Sequence, residues 1–266
     1  MTDLTKKRIY LLDMDGTLYL GEQLFEGTKD FLKMIRELGG RYMFLTNNSS
    51  KSVDKYVEKM ARLGIETTEE DFYTSTNATV QFLKPKQYHK IYALGTKSFR
   101  EQLSDAGLPI TTDVEDGIDC LCMGYDTELT YKKLDDASQI LIREGVDYIA
   151  TNPDWVCPTE YGYVPDCGSI AEALWHATKR RPQFIGKPQP EMIDLAVARS
   201  GFSKEEAIIF GDRLYTDIRS GYNAGITTCF VLSGEGTMQD VEESDFRPDF
   251  IFRDIREYTE HLKTLL

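Results

Sequence analysis

Arg8-Ile-Tyr-Leu-Leu-Asp-Met-Asp-Gly-Thr-Leu-Tyr-Leu-Gly21 is the stretch that decides how the chain is read. An apolar run with branched residues and a tyrosine stops abruptly at Asp13-Met14-Asp15-Gly16-Thr17. That pattern predicts a buried, parallel-type strand opening into a tight loop at its carboxyl end, where ligands of open α/β sheets bind. Side chains of an extended chain alternate faces, so Asp13 and Asp15 start out pointing the same way, and a Gly16 turn can offer backbone N–H groups to an anion. Asp-Gly is also an ordinary turn dipeptide, so on its own the stretch reads equally well as a strand that simply ends.

Downstream, Gly27 to Leu38 places Phe31, Leu32, Ile35 and Leu38 at helical spacing and stops at Gly39-Gly40. Arg41 to Leu45 then reads as a second strand that delivers Thr46, and Ser52 to Leu63 as a second helix closed by Gly64. A β-α-β-α order implies a parallel sheet with right-handed crossovers. One loop, one helix and one strand fill the span from Asp13 to Thr46. The span from Thr46 to Lys187 is far longer than a return to the sheet requires, and it predicts an inserted domain of about 100 residues.

Within the insertion, strands are expected near Ile91–Leu94, Cys120–Gly124 and Tyr148–Ala150. Helices are expected near Lys97–Ala106, Tyr131–Glu144 and Ser169–Thr178, so the insertion is itself α/β. The expected division is a core of residues 1–79 and 182–266 around an insertion of residues 80–181. The core is expected to resume with a short strand at Gln183-Phe-Ile185, a helix at Pro190–Ser200 and a strand at Ala207–Phe210. A helix at Tyr215–Ala224, a strand at Thr227–Leu232 and a final strand and helix near Phe250 and Ile255–Leu265 follow, with Glu235 to Asp249 as a surface connection.

Three further segments lie at or near predicted strand ends: Thr46-Asn47-Asn48-Ser49, Gly186-Lys187-Pro188, and Gly211-Asp212-Arg213 with Asp217. Together with the first loop, in this order, they resemble the four motifs of the haloacid dehalogenase (HAD) superfamily of phosphatases, and within it the NagD-like, 4-nitrophenylphosphatase-like branch. Gly211-Asp-Arg-Leu-Tyr-Thr-Asp217-Ile is especially similar to that branch. The resemblance spans nearly the whole chain and implies a doubly wound parallel-sheet core carrying a large α/β cap between the second and third motifs.

The same resemblance implies a chemistry. Asp13 would be the nucleophile, forming an aspartyl-phosphate that water hydrolyses. Asp15 would protonate the leaving oxygen and later take a proton from the attacking water. An aspartate at this second position implies phosphate-ester chemistry or phosphoryl transfer, since members acting on carbon–halogen or phosphonate bonds lack it. The implied metal ligands are the Asp13 carboxylate, the Asp15 backbone carbonyl and the Asp212 carboxylate. Asp217 is expected to hold a metal-bound water or to orient Lys187; an ordinary acid in the first turn of a helix is the alternative.

Physical chemistry supplies the remaining expectations. Four carboxylates converging on a phosphate dianion repel by roughly 4 kcal/mol per pair near 4 Å at an effective dielectric of about 20, so the cluster needs a cation. An all-oxygen set without histidine or cysteine fits magnesium better than zinc. The Thr46 hydroxyl and the Asn47 backbone amide can bind phosphate oxygens without adding repulsion, though the same stretch can also cap the next helix. Lys187, the basic member of the set, suits screening of phosphate and Asp13.

Selectivity is expected from the cap, through Thr151-Asn-Pro-Asp154 and a glycine-bearing loop comprising Tyr161-Gly-Tyr163 and Asp166-Cys-Gly-Ser169. Tyr125, Asp126 and Tyr163 are candidates for contact with a leaving group, although aromatics at such positions more often serve packing. His89, His176 and His261 match no motif.

The partner expected is a small phosphorylated metabolite: a sugar phosphate, a nucleoside monophosphate or a similar phosphomonoester. A phosphotransferase or mutase on the same site, or a non-catalytic phospho-ligand sensor, is the alternative. Forty-four acidic against 31 basic side chains leave a net charge of −13, which argues against nucleic acid as a partner. No apolar run approaches the roughly 20 residues of a bilayer span, and the N-terminus lacks the apolar run of a signal peptide. Five cysteines without a CxxC pair fit reduced thiols and a cytoplasmic protein.

Overall fold

Ile9–Leu12 is the hinge of the first sheet. It pairs in parallel with Ala207–Gly211 on one side and with Arg41–Thr46 on the other, with Leu12 opposite both Phe210 and Phe44. Beyond Ala207–Gly211 come Thr227–Val231 and Phe250–Phe252, and Phe72–Thr74 closes the opposite edge. The chain therefore builds outward from its first strand in one direction and then returns to build in the other. A ligand crevice is expected where that order reverses, beside the carboxyl end of Ile9–Leu12. The computed structural model describes residues 3–159 and 161–266.

Two compact units emerge. The first comprises Met1–Thr46, Val57–Tyr73 and Lys187–Leu266; the second comprises Asn47–Tyr56 and Thr74–Gly186. The inserted unit thus begins at 74 and ends at 186, compared with the expected 80 and 181, and it takes in residues 47–56 as well. Two of the four crossings fall directly after Thr46 and directly before Lys187.

In the first unit, helix Thr28–Glu37 buries Phe31, Leu32, Met34 and Ile35 while Lys33, Arg36 and Glu37 face water. Helix Ile255–Leu265, capped by the Asp254 carboxylate, buries Ile255, Tyr258, Thr259 and Leu262 on one stripe. Where these helices meet the sheet, Tyr10, Phe31, Phe210 and Tyr258 form an aromatic cluster. The ring centroids of Phe31–Phe210 and Phe210–Tyr258 are 5.2 and 4.7 Å apart in edge-on geometry. The cluster packs against the two central strands, three residues before Asp13 and two before Asp212.

The second unit has its own five-stranded sheet, in the order Gln183–Phe184, Asp147–Ala150, Cys120–Met123, Ile91–Leu94, Ile110–Thr111, all paired in parallel. Helices Lys97–Asp105, Tyr131–Leu141 and Cys167–Thr178 accompany it. Cys120, Cys122 and Cys167 are buried as free thiols, and burial raises the pKa of each above the ordinary thiol value.

Four local expectations need correction. Gln183–Phe184 belongs to the second sheet, beside Ile149 and Ala150, and not to the core; a two-residue strand carries too little pattern to name its partner. Glu235 to Asp249 contains helix Met238–Glu243, capped by Thr237, and its Val241 and Phe246 are buried with Leu214, Ile218 and Phe230. Gly162–Pro165 is not loop but one strand of a hairpin with Val156–Thr159. Residues 215–224 are not one regular helix, because Leu214–Ile218 form a π-type turn before α-helix Arg219–Ala224. Among the described residues, no helix is long and apolar enough to cross a membrane.

Candidate active site

The strand ends bring four motif residues of the first unit together. Lys187, 2% exposed, reaches back over the sheet so that its Nζ lies 2.7 Å from Asp13 Oδ1, 2.5 Å from Asp217 Oδ1 and 3.3 Å from the Leu45 carbonyl. Asp217 is fully engaged, since its other oxygen accepts from the Arg213 backbone N–H at 3.1 Å. In this geometry it holds Lys187 in a buried ion pair. Asp13, Asp212 and Asp217 each offer an oxygen within 4.8 Å of the others.

Asp212 sits in a cradle built by segments far away in sequence. Its Oδ2 accepts from the Glu235 backbone N–H at 2.7 Å, while its Oδ1 is buried with no hydrogen-bond partner among the described residues. A buried carboxylate oxygen left in that state costs free energy unless something positive meets it. Gly16, at φ +85°, presses against the same carboxylate: a Cβ there would lie 2.3 Å from Asp212 Oδ2. At Gly234 a Cβ would lie 1.9 Å from that atom, and Ser233 Oγ donates to the Gly16 carbonyl at 2.7 Å. Val231-Leu-Ser-Gly234, which matches no motif singled out in the sequence, forms a wall of this cradle. The signal was a glycine following a strand of the same sheet.

Electrostatics point the same way. Burial, followed by the neighbouring Asp217 charge, holds the Asp13 carboxyl well above the ordinary carboxylate range, with Lys187 pulling against it. Burial and Asp217 push Asp212 up to about 6. Burial alone would lower the Lys187 amine, but Asp13 and Asp217 outweigh it and hold the group above its usual value, fully charged. One ammonium among three carboxylates leaves the site short of positive charge. The donor set is all oxygen and the Asp212 Oδ1 is orphaned, so the residues fit a hard divalent cation.

Comparison with known proteins identifies the family. Residues 10–109 match the family model described as haloacid dehalogenase-like hydrolase, and residues 184–258 match a HAD-hydrolase-like model. An acid sugar phosphatase of Staphylococcus aureus is 35% identical over 251 residues, which is 94% of this chain and 96% of that protein. The chain belongs to the haloacid dehalogenase-like hydrolases. A 4-nitrophenylphosphatase from Thermotoga maritima superposes with a TM-score of 0.90 at 38% identity, covering 97% of this chain and 98% of the other. A glycerol phosphate phosphatase from Mycobacterium tuberculosis, in complex with magnesium, does so with a TM-score of 0.89 at 31% identity, covering 97% and 78%. Within the HAD-like hydrolases the chain falls in the NagD-like branch of phosphatases, which are phosphoric monoester hydrolases.

The other residues singled out in this HAD-like hydrolase lie as follows. Asp15 is half exposed; its Oδ1 is 3.6 Å from Lys59 Nζ and its Oδ2 is 3.4 Å from the Tyr19 hydroxyl. The Gly16 amide, expected to face an anion, donates instead to the Tyr19 carbonyl at 2.8 Å, and the Thr17 and Leu18 amides both donate to Met14. The first loop is therefore a self-closed turn. Thr46 is buried at the end of its strand.

Asn47 falls in the second unit, where its side-chain amide donates to Asp154 Oδ2 at 2.7 Å and its carbonyl accepts from Ser75 Oγ at 2.6 Å. Asn152 donates to both Asp154 and Asp166, so Thr151-Asn-Pro-Asp154 forms a buried polar network that grips the Asn47 segment. Asp126 is buried in an ion pair with Lys133 at 2.7 Å, and Tyr125 is buried, so both are packed into the unit; Tyr163 is exposed. His89 pairs with Asp119, His176 lies near Glu172 and His261 stacks on Phe252.

Proposed function

We propose that the chain is a magnesium-dependent phosphatase that hydrolyses a small phosphomonoester through phosphorylation of Asp13. The observation that carries this reading is the Lys187 ammonium held on Asp13 by Asp217, beside the orphaned oxygen of Asp212. Phosphate monoesters react slowly because a dianion repels its nucleophile and the leaving oxygen departs with negative charge. In this reading Asp13 attacks phosphorus, the bond to the ester oxygen breaks, and Asp15 gives that oxygen a proton. Asp15 then takes a proton from water, whose oxygen attacks phosphorus and frees the Asp13 carboxylate.

Lys187 screens Asp13 from the incoming phosphate, while the Thr46 hydroxyl binds a phosphate oxygen. Magnesium, held by the Asp13 carboxylate, the Asp15 carbonyl and the Asp212 carboxylate, would neutralise the gathered negative charge. The magnesium complex of the glycerol phosphate phosphatase supports that choice of ion.

The names of the relatives favour sugar and polyol phosphates as substrates; nucleoside monophosphates are the alternative class that the residues of the site also admit. The first unit would act as the catalytic core and the second as the cap that selects among them. The buried thiols of Cys120, Cys122, Cys167 and Cys229 support a cytoplasmic setting. A phosphate-release screen over these three classes, with 4-nitrophenyl phosphate as the generic substrate, tests the assignment. Release from at least one class, abolished by chelation and restored by magnesium, is expected; no release from any of them would refute it.

A further inference from the structure

Resting on the function just proposed, we infer that Lys59, with Tyr19, is a positioning residue for Asp15 in the step that phosphorylates the enzyme. Lys59 stands on helix Val53–Arg62, within the first unit, and nothing in its surroundings in the sequence sets it apart from an ordinary surface lysine. Its ammonium nonetheless turns inward, 3.6 Å from Asp15 Oδ1 and 3.8 Å from the centre of the Tyr19 ring. The side chain is only 18% exposed, although Asp15 itself is 48% exposed.

Tyr19 is fully buried and doubly tied to the loop. Its carbonyl accepts from the Gly16 amide at 2.8 Å, and its hydroxyl lies 3.4 Å from Asp15 Oδ2, long for a hydrogen bond between oxygens but on the carboxylate edge away from Lys59. The ring thus supports the ammonium by a cation–π contact, and the ammonium and the hydroxyl take one carboxylate oxygen each. Two contacts on opposite oxygens restrict a side chain that would otherwise rotate freely in water, since half of its surface is open.

The charge of Lys59 says which step gains most. In the first step Asp15 acts as a neutral acid and gives up its proton to the leaving oxygen. In the second it acts as a carboxylate: a proton passes from water to Asp15, the water oxygen bonds to phosphorus, and the phosphorus–oxygen bond to Asp13 breaks with its electron pair returning to Asp13. Negative charge develops on Asp15 in the first step and is lost in the second, so an ammonium beside it favours the first, and its removal should slow the first step more than the second.

The test is the fraction of enzyme that is phosphorylated at steady state with saturating 4-nitrophenyl phosphate, measured by acid quench and intact mass, together with kcat and KM. Lys59→Met is expected to lower kcat about tenfold, a modest share of a general acid's contribution, while lowering the phosphorylated fraction below that of the parent. Tyr19→Phe, which keeps the ring, should do so more weakly, and Lys59→Arg should restore much of the loss. A merely structural lysine would change melting temperature and leave the phosphorylated fraction alone. An unchanged fraction in a folded Lys59→Met protein overturns the inference. Failure of the underlying function is a separate result, since Asp13→Asn would then turn over like the parent.

Discussion

Lys187 Nζ lies 2.7 Å from Asp13 Oδ1, although the two residues are 174 apart in the sequence and Lys187 is the first residue after the inserted unit. A buried ammonium can hold that position only if carboxylates surround it, and Asp217 supplies the second at 2.5 Å. The contact makes Asp217 answerable for the placement of Lys187.

Asp217→Asn should therefore leave the fold intact and lower kcat on 4-nitrophenyl phosphate about 100-fold, the scale seen when a positioned group shifts by about 1 Å. Steady-state kinetics with a thermal melt checks this. A kcat within twofold of the parent would release Asp217 from that role.

Gly234→Ala brings a methyl group into the Asp212 carboxylate, which has no room to yield between Gly16 and the Glu235 amide. Magnesium affinity is expected to fall about 10- to 100-fold, the scale found when groups supporting a metal ligand are disturbed. Titration of activity against magnesium reads this out, and an unshifted midpoint would show that the wall is not needed.

The raised carboxylates predict how stability depends on pH. An acid whose folded pKa exceeds its unfolded value contributes stability that is fully present below the unfolded value and is lost as pH rises through the folded one. For Asp212 that window runs from 3.8 to about 6, and Asp13 shifts in the same direction. Metal-free protein should thus lose stability across this window from these two groups. Magnesium should raise the melting temperature more at about pH 7.5 than at about pH 5; an equal gain at both would argue against charge relief as its source.

Lys133→Met separates packing from selectivity in the second unit. It strands the buried Asp126 carboxylate, which should cost about 3–5 kcal/mol in urea unfolding of that unit while leaving KM unchanged within about twofold. A changed KM with undiminished stability would return Asp126 to contact with the leaving group.

Much of this was legible from residue pattern alone. Phe31, Leu32 and Ile35 announced their helix by spacing, and the run before Asp13 announced its strand, because periodic burial is a local property. Asp13, Lys187, Asp212 and Asp217, singled out by their resemblance to the HAD motifs, meet in one cluster. What the sequence hid was non-local. Nothing in Gln183-Phe184 says which sheet it joins, and Val241 and Phe246 look like isolated apolar residues until Leu214 and Phe230 cover them. Gly234 matters only because Asp212 lies against it, and Lys59 only because its helix faces Tyr19. Asn47 was legible as a motif residue, but its ties to Asp154 and Ser75 depend on contacts between distant segments.

The most direct test of the central claim is turnover of 4-nitrophenyl phosphate by Asp13→Asn in the presence of magnesium. An asparagine keeps the shape but cannot serve as the nucleophile. We predict a protein that melts at or above the parent temperature and releases no phosphate above background; release at the parental rate would contradict the account.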